Sequence, residues 1–168
     1  QYSGNDVYAA EMKNALDMGV NTLELDLQLS KDGVVVVSHD AYFHYRYATR
    51  PDGTPVQKGE PQEYLYKYTY DEIAKYDVGS KANPEWPERA CFATKKPTLD
   101  ELIDFVENYT KEQGYSPVRY NIEVKSRDAD GEGINWPIYH DLVDACAKAL
   151  ISKHLDDRLV VQCFDHRT

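Results

Sequence analysis

The run Val20-Asn-Thr-Leu-Glu-Leu-Asp-Leu-Gln-Leu-Ser-Lys-Asp-Gly-Val-Val-Val-Val-Ser-His-Asp40 decides how the rest of the chain is read. Leu23, Leu25, Leu27 and Leu29 alternate with Glu24, Asp26 and Gln28, a period of two that sends leucines to one face of a strand and carboxylates to the other. Lys31-Asp32-Gly33 is a tight-turn sequence. Beyond it Val35, Val37 and His39 share one face of a second strand, and Val34, Val36 and Ser38 the opposite one. Both strands are apolar enough to be buried, yet one carries two carboxylates and the other ends on His39-Asp40. Buried charge is costly unless something neutralises it, so the pattern asks for a cation.

Outward from this run, strands and helices alternate. A helix capped by Asn5 or Asp6 precedes it, with Tyr8, Met12, Ala15 and Leu16 on one face and a stop at Gly19. Residues 41–97 lack clean periodicity and hold eight of the 14 tyrosines. Tyr42, Tyr45, Tyr47, Tyr64, Tyr66, Tyr68 and Tyr70 read as the core of an insertion rather than as a ligand platform. Inside it, Thr69-Tyr-Asp-Glu72 is a capping box that starts a short helix through Tyr76, closed by Gly79. A second box, Thr98-Leu-Asp-Glu101, opens a helix with Leu99, Leu102, Ile103, Val106 and Tyr109 on one stripe. The strand Tyr120–Lys125, a Gly/Asp-rich loop, a helix from Pro137 to His154 and a last strand Leu159–Phe164 follow. In that helix Leu142, Val143, Cys146, Ala149 and Leu150 face inward.

This order predicts an α/β fold built on a parallel sheet with helical crossovers. The junction at Asp32-Gly33 is too short for a helix and suits a hairpin. If the first strand instead ends near Asp26, residues 27–33 become a compact connection to a neighbouring strand. The sequence leaves both open.

Length and charge bound the function. The 168 residues make one domain with a sizeable core, and the net charge of −10 argues against a nucleic-acid partner. No apolar run approaches the roughly 18 residues of a membrane span. An acidic chain that handles phosphate needs a metal to supply local positive charge. Cys91, Cys146 and Cys163 match no zinc pattern; Cys146 and Cys163 read as small core residues, and the compartment, cytoplasmic or periplasmic, stays open.

Three strands place polar groups near their C-terminal ends, where parallel α/β architectures build sites. They are Glu24 and Asp26; His39; and Asn121, Glu123 and Lys125. Three carboxylates without a cysteine or neighbouring histidine describe a hard oxygen site for magnesium or calcium. Lys125 either pairs with Glu123 or holds a phosphate oxygen beside the metal. His39 either bonds Asp40 or moves protons, for which an imidazole is suited near neutral pH. His44, His140, His154 and His166 read as solvated or structural.

Gly19 through Asp40 resembles the glycerophosphodiester phosphodiesterase family, and four further stretches match in the family's order. These are Tyr68-Thr-Tyr-Asp-Glu-Ile-Ala-Lys-Tyr-Asp-Val-Gly-Ser80, Pro97-Thr-Leu-Asp-Glu-Leu102, Asn121-Ile-Glu-Val-Lys125 and Val161-Gln-Cys-Phe-Asp165. The resemblance implies a TIM (β/α)8-barrel that uses one divalent ion, Mg or Ca, to hydrolyse glycerophosphodiesters to glycerol 3-phosphate and an alcohol. By position it implies metal ligands at Glu24, Asp26 and Glu123, a catalytic histidine at His39, and substrate contacts at Lys125 and Phe164. Cys163 stands where the family commonly has serine. The family's second catalytic histidine lies in a His-Arg-Gly segment that would precede Gln1; His166-Arg167 matches it in letters only. Residues 1–168 then form an incomplete barrel domain, lacking the first strand and the C-terminal strands, with 41–97 inserted in it. Weak or absent activity and self-association through exposed sheet edges are expected. A related phosphodiesterase acting on lysophospholipids or inositol phospholipids, or a non-catalytic metal- and phosphate-binding module, are the alternatives.

Overall fold

A computed structural model describes residues 7–82 and 91–168, with side chains from Glu11 onward in the first helix. The cap expected at Asn5 or Asp6 and the packing of Tyr8 lie outside what is described. The elements are α1 (Val7–Asp17), β1 (Thr22–Leu29), β2 (Val35–Val37), α2 (Tyr70–Ile73), α3 (Leu99–Gln113), β3 (Arg119–Val124), α4 (Tyr139–Ser152) and β4 (Leu159–Gln162). They form one four-stranded sheet in the order β2-β1-β3-β4.

The hairpin reading of the central run holds. β1 runs through Leu29, pairs antiparallel with β2, and pairs parallel with β3, which in turn pairs parallel with β4. The turn closes because Gly33 takes a left-handed conformation (φ +81°) that a side chain disfavours. Ser30 ties it down: its Oγ accepts from the Val34 amide at 2.9 Å and donates to Asp32 at 2.6 Å.

The even-spaced leucines of β1 and Val35 of β2 face the main core, along with Leu99, Leu102, Ile103 and Val106 of α3 and Leu142, Cys146 and Leu150 of α4. Fully burying each such aliphatic side chain contributes about 1.5–3 kcal/mol. Both expected capping boxes form, at Thr69 and Thr98. α3 ends on Gly114, whose φ of 70° lets the backbone turn out of the helix.

Residues 41–78 enclose a second, smaller core of Val36, Phe43, Ala48, Val56, Leu65, Ile73 and Tyr76. Tyr45, Tyr47, Tyr68 and Tyr70 pack around it, whereas Tyr66 packs on the main core. β2 is thus the wall between two cores, with Val35 on one side and Val36 on the other. The second core also explains Gln28, whose residue position faces Val36 and which is 2% exposed rather than wet.

Several boundaries differ from expectation. β2 ends at Val37, so His39 leaves the strand and its side chain is 75% exposed. The helix after Thr69 is a single turn, Tyr70–Ile73, and does not reach Tyr76. α4 starts at Tyr139, and Pro137 lies before its cap residue Ile138. β4 stops at Gln162, leaving Cys163 and Phe164 beyond it, and Lys125 lies one residue past β3.

The two sheet edges are unlike. The outer side of β2 is taken by the segment before α3, where Val36 bridges Thr98 and the Val37 amide donates to the Pro97 carbonyl at 2.9 Å. β4 is open, with Val160 and Val161 about half exposed. No helix of the described residues is long and apolar enough to cross a membrane.

Candidate active site

The parallel register of β1 and β3 sets Glu24 beside Asn121 and Asp26 beside Glu123. Because alternate residues share a face, this pairing brings three carboxylates to one side of two neighbouring strands. Glu24, Asp26 and Glu123 each offer an oxygen within 4.8 Å of the others. Oxygen ligands on opposite sides of one ion stand about 4 Å apart around magnesium and nearly 5 Å apart around calcium. The donor set and its spacing therefore fit a single hard divalent cation.

The electrostatics point the same way. Lys125 Nζ lies 2.8 Å from Glu123 Oε1 and 3.1 Å from Asp26 Oδ1, so it spans two of the three carboxylates. Burial works against the lysine's charge, but its hydrogen bonds to Glu123 and Asp26 outweigh that and raise its pKa. Loss of water, then the charges of Asp26 and Glu123, push the Glu24 carboxyl above its ordinary value, with Lys125 and His39 opposing. Three carboxylates and one ammonium leave two negative charges uncompensated, a demand a divalent cation meets.

Of the other residues singled out in the sequence, His39 is near enough for its charge to act on Glu24, and its Nδ1 sits 3.3 Å from Asp40 Oδ1. Phe164 is 79% exposed just past β4. Asn121 is half-buried beside Glu24. Cys146 is buried, which pushes its thiol up to about 12, and Cys163 is half-buried with its Sγ 3.0 Å from the Val124 carbonyl. His44 stacks with Tyr42, Tyr45 and Tyr47, while His140 and His166 are exposed, in keeping with structural or solvated roles.

Two neighbours of the site escape a reading of the sequence. Gln162 of β4 donates from Nε2 to Glu123 Oε2 at 3.3 Å, steadying the innermost carboxylate. Its place in the Val161–Asp165 motif was the available signal. Lys96 is buried and donates to Ser38 Oγ at 2.8 Å across 58 residues of chain. Nothing local marks it, because its burial depends on a contact with a turn far away in the chain.

Comparison with known proteins agrees with this geometry. Residues 9–168 match the sequence model of the glycerophosphoryl diester phosphodiesterase family. The chain belongs to this family. A glycerophosphodiester phosphodiesterase from Caldanaerobacter subterraneus subsp. tengcongensis is 29% identical over 158 residues, covering 94% of this chain and 51% of the relative. The structure of a Silicibacter pomeroyi protein superposes with a TM-score of 0.74 at 24% identity, covering 90% of this chain and 50% of that one. An Oleispira antarctica phosphodiesterase, solved in complex with the product sn-glycerol-3-phosphate, matches with a TM-score of 0.63 at 23% identity, covering 94% and 51%. The fold is thus of the TIM-barrel type of the glycerophosphoryl diester phosphodiesterases, and the parallel strands β1, β3 and β4 fit a partial barrel, with β2 added antiparallel at its edge. The chain spans about half the length of the relatives it matches.

Proposed function

We propose that residues 1–168 form an incomplete glycerophosphodiester phosphodiesterase domain, with 41–97 inserted in it, and that the complete protein hydrolyses glycerophosphodiesters to glycerol 3-phosphate and an alcohol. The observation that carries this reading is the convergence of Glu24, Asp26 and Glu123 from adjacent strands, with Lys125 among them and a surplus of two negative charges. The Oleispira antarctica phosphodiesterase of similar fold, solved with the product sn-glycerol-3-phosphate, suits the same product.

A phosphodiester anion resists attack because an incoming nucleophile meets negative oxygens. Glu24, Asp26 and Glu123 would hold one divalent ion, magnesium or calcium, which would withdraw that charge and stabilise the transition state. Lys125, at the edge of the triad, is the cation available to a phosphate oxygen. His39, exposed at the rim and oriented through Nδ1 by Asp40, gives a proton to the departing alcohol oxygen. Phe164, 79% exposed just past β4, is assigned to substrate contact.

The full-length protein is expected to release glycerol 3-phosphate from glycerophosphocholine, with release abolished by a chelator and by Glu24→Gln or Glu123→Gln. Unchanged release in either variant overturns the reading. Residues 1–168 alone are expected to turn over weakly or not at all, and to self-associate through the open edge of β4, which light scattering reads directly.

A further inference from the structure

Lys96 is the only buried cation among the described residues, at 7% exposure. It makes no ion pair among them. Its ammonium donates to Ser38 Oγ at 2.8 Å and to Tyr47 OH at 3.4 Å, and lies 5.0 Å from the centre of the Tyr47 ring. Burial lowers its pKa to about 8, with the Asp40 charge opposing. An ammonium withdrawn from water and met chiefly by neutral oxygens is a stability liability, and an apolar side chain of similar size commonly does better in such a place.

Both partners of Lys96 act on Asp40. Ser38 Oγ donates to the Asp40 carbonyl at 2.6 Å, and Tyr47 OH donates to Asp40 Oδ2 at 2.9 Å. The other carboxylate oxygen, Oδ1, faces His39 Nδ1. His39 lies outside any strand, and its side chain is 75% exposed, so packing does little to fix its ring. Its direction is set from the Asp40 side, and Lys96 is the node at which the two restraints on Asp40 meet. The Ser38 amide also donates to the Asp26 carbonyl at 2.8 Å, so the same turn is pinned to a strand of the acidic triad.

We propose that Lys96 is a positioning residue for His39: through Ser38 and Tyr47 it locks the Ser38–Asp40 turn and so aims the imidazole at the rim where Glu24, Asp26 and Glu123 converge. The proposal rests on the phosphodiesterase reading for its chemistry, although the geometric lock stands apart from it. Displacing a reacting group by a fraction of an ångström lowers turnover without altering the binding of substrate or metal.

The test uses the full-length protein with Lys96→Met, which keeps the volume and removes the charge and its hydrogen bonds. Expected are a fall in kcat of about tenfold, KM and divalent-ion affinity within about twofold, a melting temperature at or above the parent's, and faster amide hydrogen exchange at residues 38–41. Unchanged kcat with unchanged exchange overturns the proposal. So does a lower melting temperature with exchange raised throughout the chain, because Lys96 is then a support of the fold. Glu24→Gln serves as the control for the reading beneath. If the parent releases no glycerol 3-phosphate, or Glu24→Gln releases it normally, the phosphodiesterase reading fails, and exchange at 38–41 alone decides whether Lys96 holds the turn.

Discussion

Lys125 and Lys96 are both drawn out of water, and the fold holds them in opposite ways. Lys125 lies across two carboxylates that the register of β1 and β3 delivers to it, and their hydrogen bonds raise its pKa despite burial. Lys96 sits among hydroxyls, and burial lowers its pKa to about 8. The first is charge set against charge, at modest cost. The second gives up stability for geometry. The contrast teaches that the acidic face of the sheet is electrostatically organised and still short of positive charge, whereas the turn carrying His39 is organised by placement.

The largest effect expected of breaking this contrast falls on the acidic face. Glu123→Gln removes a ligand oxygen's charge while keeping its shape, and release of glycerol 3-phosphate by the full-length protein is expected to drop about 1,000-fold. Steady-state kinetics at saturating magnesium or calcium check this. Lys125→Met comes next. It leaves Asp26 and Glu123 facing each other without a counter-charge, and in metal-free buffer it is expected to cost about 3 kcal/mol in urea unfolding. An added divalent cation should restore part of that loss.

Lys96→Met is expected to act with the opposite sign. The folded pKa of Lys96, about 8, lies below its ordinary value of 10.5. Below pH 8 the ammonium is protonated in both states and the full cost of burying it is present. Between pH 8 and 10.5 the unfolded chain binds the proton and the folded one does not, so stability rises with pH over that window. The variant is therefore expected to be more stable than the parent by about 2 kcal/mol at pH 7, after subtracting the hydrogen bond to Ser38. The difference should narrow towards pH 10.5 in paired urea titrations. A pH-independent difference would break the contrast between the two lysines. The smallest effect is that of Thr98→Ala, which removes the α3 cap directly after Lys96-Pro97 and is expected to cost about 1 kcal/mol in the same titrations.

The parts of the structure that obey a period were legible in the sequence. Leu23 to Leu29 gave β1 its buried face, Asp32-Gly33 its hairpin, and the boxes at Thr69 and Thr98 their helix starts, because each depends on neighbours a few residues away. The acidic triad was legible too, since Glu24-x-Asp26 and Glu123 lie on strands whose parallel pairing follows from the order of elements. What depended on distant contacts was not. The second core buries Gln28, the 97–98 segment covers the outer edge of β2, and Lys96 reaches Ser38, each through residues far apart in the chain. Nor could apolar runs show where the strand stops: the valines of 34–37 lead smoothly to His39, but β2 ends at Val37, the Ser38 hydroxyl turns to the Asp40 carbonyl, and the histidine is exposed.

The central claim is that Glu24, Asp26 and Glu123 together hold one divalent ion. Calorimetric titration of the full-length protein with magnesium and with calcium tests it most directly, in the parent and in Glu24→Gln and Glu123→Gln. One ion per chain at this site, lost or weakened at least about tenfold in both variants, is the result predicted. Binding of equal strength and number in the parent and both variants, or no binding by the parent, would contradict it.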